Sequence, residues 1–574
     1  MYKYLLFVYS ESEESEESDE EEMVAPLIPR TFRINIDTPE DDDVTTTATV
    51  PTHLDFPTPE MGAVRPYNLH DFEWNSFPDP PIPPNLRREK FSSSNVGPTT
   101  PCVDPYDTFI GIWDRQFMEH IASETNRYAQ EVIKKMILNQ SLTQKCLMRD
   151  WRPTTADELY TYFAIILAMG IVVKNNICEY WDSTLDIFYT PGFKTHMTAK
   201  RFQLLNKCLH FNSNENMCAL KLDASEANLY KIEPVLSHLN SKFQSMYNMS
   251  QNIALDESLL LWKGVSDIDQ FIANKAAADG IKTYEICEPQ TGYMWRFEVH
   301  THGRSSRKQS PQEKLETFTT TLVLRLIQGL EYKGHTLWMD SLYSSPVLAR
   351  RLKSLGFDCV GTLRTNRQFV PTALSSLTKA NMQRGEITGF TSGDVDLIVW
   401  KDLNRVAMIS TYHGNIKTND KAYPKPALIA DYNIMVGGVD RKDQMLAMYP
   451  IERKQTRVWY KQFFRRLLNV SVLNCFILVK KSSSSICQRS FRRSLILSLL
   501  KKHSSLSVVP AVPSNSSIFK IKDHHLKQFP LLPVTHDRHR IRRVCTICKN
   551  RINTFCVGCD KAVCMTPCFV ALHQ

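Results

Sequence analysis

The chain has 574 residues, 43% of them apolar and 23% charged, with a formal net charge of +8. That length allows several domains and a sizeable core. No apolar run approaches the ~20 residues of a membrane span, and the short apolar opening MYKYLLFVYS gives way at once to acidic sequence, which argues against a secretory signal.

The modest net charge conceals an asymmetry. Residues 1–80 hold 19 Asp/Glu and 4 Lys/Arg, a net of −15, so the remainder carries 65 Lys/Arg and 42 Asp/Glu, a net of +23. A body that basic suits a polyanion, which the acidic arm could screen until the polyanion competes; a purely solubilising tail is the equal alternative. Of fifteen cysteines, nine are scattered between Cys102 and Cys487 and six crowd the last thirty residues. That distribution points to a reducing compartment and a metal site rather than a disulfide framework.

Residues 1–104 read as disordered: nine of the twelve positions Glu11–Glu22 are acidic, and the Pro-rich PDPPIPPNLRR follows. Residues 105–250 read as a helical domain, with apolar residues at helical spacing in DTFIGIWDRQFMEHIASETNRYAQEVIKKMI, TADELYTYFAIILAMGIVV, MTAKRFQLLNKCLHF and IEPVLSHLNSKFQSMY. The character changes near Asn252. NIALDESLLLW reads as a strand, and IKTYEICEPQTGYMWRFEVHTH as two strands around a Pro-Gln-Thr-Gly turn. A helix over Thr317–Leu330, the strand HTLWMD, the helix SSPVLARRLKSLG and the strand DCVGTLR complete residues 251–365. This order suits a mixed sheet flanked by helices. Residues 366–432 resemble an inserted β subdomain, and 433–481 return to the core with a long aromatic and basic helix. Residues 482–537 read as a Ser-rich linker before a final unit over 538–574.

Three aspartates stand out. Asp256 and Asp340 each close an apolar strand, and Asp440 follows a Gly-Gly pair at the start of a helical stretch, with Asp443 one turn later. Carboxylates converging from distant segments are what a pair of Mg²⁺ ions needs for phosphoryl transfer on a nucleic-acid backbone. Separate capping or surface aspartates are the plainer alternative. The C-terminus supplies Cys545-x2-Cys548-x7-Cys556-x2-Cys559-x4-Cys564-x3-Cys568-x4-His573. Short chelate loops of this kind suit tetrahedral Zn²⁺. Seven ligands are visible where two closed sites need eight, with His536, His539 or Asp560 able to supply the last. The HDRHRIRR run before the module could hold phosphates, serve nuclear import, or be a solvated linker. In the long helix, Arg457, Lys461, Arg465 and Arg466 alternate with Trp459, Tyr460, Phe463 and Phe464; core packing of the aromatics is favoured over lining DNA.

Ordered landmarks now accumulate: TNRYA at 125–129, Trp151, Glu179-Tyr180-Trp181, Arg201-Phe202, LDES, GTLRTNR at 361–367, WKD at 400–402 and YNIMVGGVDRKDQ. Together they resemble the piggyBac transposases and piggyBac transposable-element-derived proteins over roughly 105–480 and the cysteine module. The resemblance implies a ribonuclease-H-like α/β core interrupted by an insertion, with a helical dimerisation or DNA-binding domain before it. It also implies Mg²⁺- or Mn²⁺-dependent cutting and joining of double-stranded DNA at TTAA-flanked transposon ends, by a nuclear homodimer with no membrane role. The family's three catalytic aspartates fall on Asp256, Asp340 and Asp440, and a fourth supporting position on Asp443. The family's cross-brace zinc domain resembles an interleaved set with Cys545, Cys548, Cys564 and Cys568 on one ion.

Departures from the family pattern carry a second reading. Val265 stands where Arg is common, Ala276-Ala277-Ala278 replace a stretch that is often basic, and DSLYSS replaces an Asn-Phe-Tyr-Thr-Ser form. A thinner phosphate grip weakens DNA binding. The second reading is therefore a domesticated, catalytically idle DNA-binding or chromatin protein that keeps the fold. A third has the cysteine module as a protein-interaction adaptor, with the acidic tail recruiting chromatin partners.

Overall fold

A computed structural model of the chain describes residues 68–504, 526–529 and 542–573, apart from 145, 185, 214–228, 263–268, 272–278, 301–317, 419–424, 453–457, 483–484, 558 and 566–567. The chain divides into two compact units, Met1–Leu506 and Ser507–Gln574.

In the larger unit, residues 68–104 fall within the stretch expected to be disordered, yet they form a strap tied to the rest of the unit. Asn75 and Thr391 exchange backbone hydrogen bonds at 2.9 Å. Trp74 donates from Nε1 to the Phe369 carbonyl at 2.9 Å, and Arg87 grips Asp396 with two bonds of 2.6 and 2.9 Å. A Pro-rich segment lacks apolar periodicity whether bound or free, so composition alone does not register such docking.

The helical part comprises α1 (Pro105–Ile112), α2 (Arg115–Leu138), α3 (Ala156–Met169), α4 (Ala199–Cys208) and α5 (Glu233–Ser245). Four of the five starts are capped by side chains that accept backbone N–H groups: Asp104, Asp114, Thr155 and Thr198. The helical run over 107–137 divides at Trp113, which is fully buried and donates from Nε1 to Ser471 Oγ at 2.7 Å.

Nine strands make one sheet: β1 (Asn252–Leu261), β2 (Asp269–Phe271), β3 (Asp279–Cys287), β4 (Met294–Val299), β5 (Thr336–Met339), β6 (Asp358–Thr362), β7 (Ile387–Thr391), β8 (Asp396–Lys401) and β9 (Arg405–Ser410). Their order is β2-β3-β1-β5-β6-β9-β8-β7, with β4 also paired to β3. The pairs β1–β5 and β5–β6 are parallel and the rest antiparallel. Helix α6 (Phe318–Ile327) precedes β5, and α7 (Pro346–Ser354) crosses from β5 to β6. Strands β7–β9, expected as an inserted subdomain, extend this same sheet through the pairing of Met408 with Thr362. Their side chains are buried on both faces along β8 and β9, which a two-layered environment explains.

Helices α8 (Ala427–Met435), α9 (Gly438–Ala447), α10 (Trp459–Ser482) and α11 (Gln488–His503) complete the unit. By length and composition α10 could cross a membrane, but 94% of its apolar window is buried inside the protein. Its aromatics Tyr460, Phe463 and Phe464 pack in the core, and so does Arg465. Helix α11 occupies part of the expected linker. Serine runs on either side mask its stripe of Phe491, Leu495 and Leu499, four apart and fully buried.

The smaller unit has a three-stranded sheet of β10 (Leu526–Gln528), β13 (Thr554–Cys556) and β14 (Lys561–Ala562). A two-stranded ladder joins β11 (Arg543–Val544) to β12 (Arg551–Ile552), and α12 (Cys568–His573) ends the unit. Its buried core is Cys545, Cys556, Val563 and Cys568.

Candidate functional site

In the parallel pair β1–β5, Leu255 lies opposite Met339. Asp256 and Asp340 follow, just past that parallel pairing: Asp340 closes its strand as expected, whereas Asp256 lies midway along β1, which runs on to Leu261 through its pairing with β3. The carboxylate oxygens of Asp256, Glu257 and Asp340 approach one another within 4.8 Å. Local bonds fix two of them: Asp256 Oδ1 accepts from Glu257 N at 2.8 Å, and Asp340 Oδ1 from Leu342 N at 2.9 Å.

Glu257 is buried and accepts the Tyr343 hydroxyl at 2.8 Å, with Lys282 Nζ 3.7 Å away. Burial, reinforced by the charges of Asp256 and Asp340, pushes its carboxyl up to about 8. Glu257 is thus held mostly protonated near neutral pH, and the crowded carboxyl groups form a site whose charge a divalent cation would neutralise. Their hard oxygen donors fit such an ion.

Asp440 opens α9 and stands outside that cluster. The buried Tyr432 phenol is raised by burial first, and the charges of Asp340, Asp256 and Asp440 add to the effect. Asp443 is engaged differently. Ser258, two residues beyond Asp256 on β1, donates to its two oxygens at 3.1 and 2.9 Å. Lys442 Nζ lies 2.9 Å from Asp443 Oδ1, and Arg466 of α10 pairs with the same oxygen. Burial works against ionisation there, but Lys442 and Arg466 outweigh it and hold the carboxyl below its ordinary range. Lys442, fully buried, also pairs with Glu285 of β3.

Sequence reasoning missed Glu257, Lys442 and Arg466 as parts of this site. Glu257 was hidden inside an apparently simple LDES strand end. For Lys442 a signal existed: Val439, Lys442 and Leu446 fall on one helical stripe, all buried, so the lysine interrupts an apolar face. Val265 and Ala276–Ala278, the departures just after β1, lie outside the described residues.

In the smaller unit the sulfurs of Cys545, Cys548, Cys564 and Cys568 all lie within 4.8 Å of one another, with Cys548 and Cys564 at 3.3 Å. The interleaved set expected from sequence is thus gathered. A bond from Cys548, then burial, pushes the Cys564 thiol up to about 12. So close a quartet of soft donors fits a tetrahedral metal. Cys556 and Cys559 are neighbours of each other, apart from that quartet. The side chain of His573, together with His536 and His539, lies outside the described residues.

A mixed sheet carrying acidic groups where its parallel pairing ends accords with a transposase class: the family model described as "Transposase IS4" matches residues 104–476, well over half the chain. The chain belongs to that family. Among its relatives are human PiggyBac transposable element-derived protein 2, 23% identical over 65% of this chain and 61% of the relative, and human PiggyBac transposable element-derived protein 5, 19% identical over 71% and 76%. In fold it matches a piggyBac transposase solved as a synaptic complex with hairpin DNA, with a TM-score of 0.61 at 21% identity, covering 80% of this chain and 97% of that one. Within the transposases, the chain is a member of the piggyBac superfamily.

Proposed function

We propose that this protein cleaves and rejoins double-stranded DNA at TTAA-flanked transposon ends, using divalent cations held by Asp256, Asp340 and Asp440. The observation that carries the reading is the gathering of the Asp256 and Asp340 carboxylates where the parallel pairing of β1 with β5 ends, with Asp440 in the first turn of α9, a helix packed on β1. The strand order, three antiparallel strands followed by two parallel ones, supports a ribonuclease-H-like core. When bound, Mg²⁺ or Mn²⁺ supplies Lewis-acid activation of the attacking oxygen and charge neutralisation at the leaving one. The residues themselves provide positioning. Leu342 N and Glu257 N orient the carboxylates of Asp340 and Asp256, and Asp443 stays in its ionic contacts as a support for α9. No protein nucleophile is needed, because water or a DNA 3′-hydroxyl attacks the phosphate directly.

In the same reading the Cys545, Cys548, Cys564 and Cys568 quartet holds Zn²⁺, and Cys556, Cys559 and His573 contribute to a second ion. The module then reads transposon-end DNA, the protein acts as a nuclear homodimer, and its basic body grips the phosphates. The test is incubation of the full chain with Mg²⁺ or Mn²⁺ and TTAA-flanked or hairpin-ended DNA. Nicking that disappears in Asp340→Asn is expected. Absence of nicking and of cellular excision, with DNA binding that survives Asp256→Asn, would instead establish the idle DNA-binding protein.

A further inference from the structure

Of the carboxylates at the candidate metal centre, Asp256 and Asp340 are fixed by backbone pairing within one sheet, whereas Asp440 rides on a helix. Something must set that helix against the sheet. Its first turn is wedged in place: a Cβ on Gly438 would lie 3.0 Å from Ala254 Cβ and 3.3 Å from the Cys287 carbonyl. On the other side, Gly292 of the Pro-Gln-Thr-Gly turn sits at φ +76°, and a Cβ there would come 3.1 Å from Lys442 N and 3.3 Å from its Cα. The start of α9 at Gly438 therefore lies against β1 and β3, and the Gly292 turn closes on the backbone of Lys442 one turn later.

The side chain of Lys442 closes a ring. Glu285 lies directly opposite Asp256 in the antiparallel β1–β3 ladder, and Thr283 lies opposite Ser258. These four positions share one face of the sheet, because side chains alternate along a strand. Lys442 Nζ pairs with Glu285 and reaches Asp443 at 2.9 Å; Asp443 returns to Ser258, and Thr283 Oγ1 donates to Glu285 Oε1 at 2.8 Å. Arg466 adds bonds to Asp443 and, at 3.2 Å, to Ser258 Oγ. Arg466 also faces Glu452 at 3.9 Å, so two cations meet three carboxylates.

We propose that Lys442 is a positioning residue of the metal centre: through Glu285 and Asp443 it locks α9 to the face of β1 that bears Asp256, and so sets where Asp440 meets the carboxylates of Asp256 and Asp340. This rests on the reading of Asp256, Asp340 and Asp440 as metal ligands. A lysine that merely filled space would be exchangeable for an apolar side chain once its buried partner was also neutralised, since buried ion pairs are commonly replaceable at no cost in stability.

The test uses the full chain as wild type, Lys442→Met, and the double variant Lys442→Met/Glu285→Leu. Lys442→Met strands Glu285 and lowers the melting temperature; the double variant recovers it to within a few degrees. With folding restored, the double variant is expected to exchange the amides of Gly438–Ala447 at least tenfold faster than wild type, and to bind Mn²⁺ at least tenfold more weakly with every ligand intact. A double variant with wild-type exchange over α9 and wild-type Mn²⁺ affinity overturns the proposal. The two readouts separate the claims. If wild type binds Mn²⁺ no better than Asp256→Asn, the metal reading fails, and the exchange rates of α9 in the metal-free proteins still decide whether Lys442 holds the helix.

Discussion

His335 offers a quantitative check on how the strand carrying Asp340 is held. It immediately precedes β5, is 1% exposed, and packs between Phe91 and Phe357. Its Nδ1 lies 2.9 Å from the Ser250 carbonyl, which only accepts, so Nδ1 carries the proton and the neutral ring is satisfied. Burial lowers its pKa from 6.5 to about 4, with Lys333 adding to the effect. Above pH 6.5 the group is neutral in both folded and unfolded chains and contributes no pH dependence. As pH falls from 6.5 towards 4, the unfolded chain takes up a proton that the folded one refuses, so stability is lost across that window and the loss levels off below it. The shift corresponds to about 3 kcal/mol at full extent. Urea unfolding of wild type and His335→Asn between pH 7.5 and 4 measures this. The Asn amide keeps a donor near Nδ1 but loses the ring contacts, starting lower by roughly 1–2 kcal/mol. The gap between the two proteins should then shrink as pH falls and close or reverse near pH 4. A gap that stays constant over the whole range refutes the reasoning.

Two further outcomes are expected. Arg350 is buried, holds Asp394 through two bonds of 2.8 and 2.9 Å, and also donates to the Asn68 carbonyl at 2.7 Å. Arg350→Met should cost about 3–5 kcal/mol by stranding a buried carboxylate and expose the strap to protease near residues 68–72; Arg350→Met/Asp394→Asn should regain part of the stability but not the protection. In the smaller unit, where four of the core positions are three cysteines and one valine, Cys564→Ser or chelation should release Zn²⁺ and abolish hydrogen-exchange protection across β10–β14, with the melting of the larger unit unchanged.

What the sequence discloses about this molecule follows from the range over which each signal acts. The strands carrying Asp256 and Asp340 are legible because an apolar run meeting a carboxylate is a local pattern, although β1 continues five residues past Asp256 to Leu261. The cysteine quartet is legible because chelation demands short loops. Docking is non-local and leaves weaker marks. The strap depends on Trp74, Arg87 and Arg350 finding partners hundreds of residues away, and nothing in the Pro-rich run encodes those partners. Helix α11 escaped because the serine runs on either side of it set the character of the segment, while Phe491, Leu495, Ile496 and Leu499 within it do the packing. Strands β7–β9 were readable as strands, but not as members of the main sheet, because which edge a hairpin joins is decided by pairing with β6.

The same division applies inside the site. Asp256 and Asp340 owe their separation to ladder hydrogen bonds, which do not depend on side-chain identity, so a substitution at either removes a ligand without moving its neighbour. The position of Asp440 depends instead on side chains: Lys442, Glu285, Asp443, Ser258 and Arg466. On the proposed function, a copy of this protein drifting away from strand cleavage has two routes. It can lose a ligand, which is visible in any sequence. It can also loosen the ring while keeping all the aspartates, which is visible only where a buried lysine is recognised on an apolar stripe. An intact set of carboxylates is thus a necessary condition for metal chemistry here, and the geometry of α9 supplies the rest.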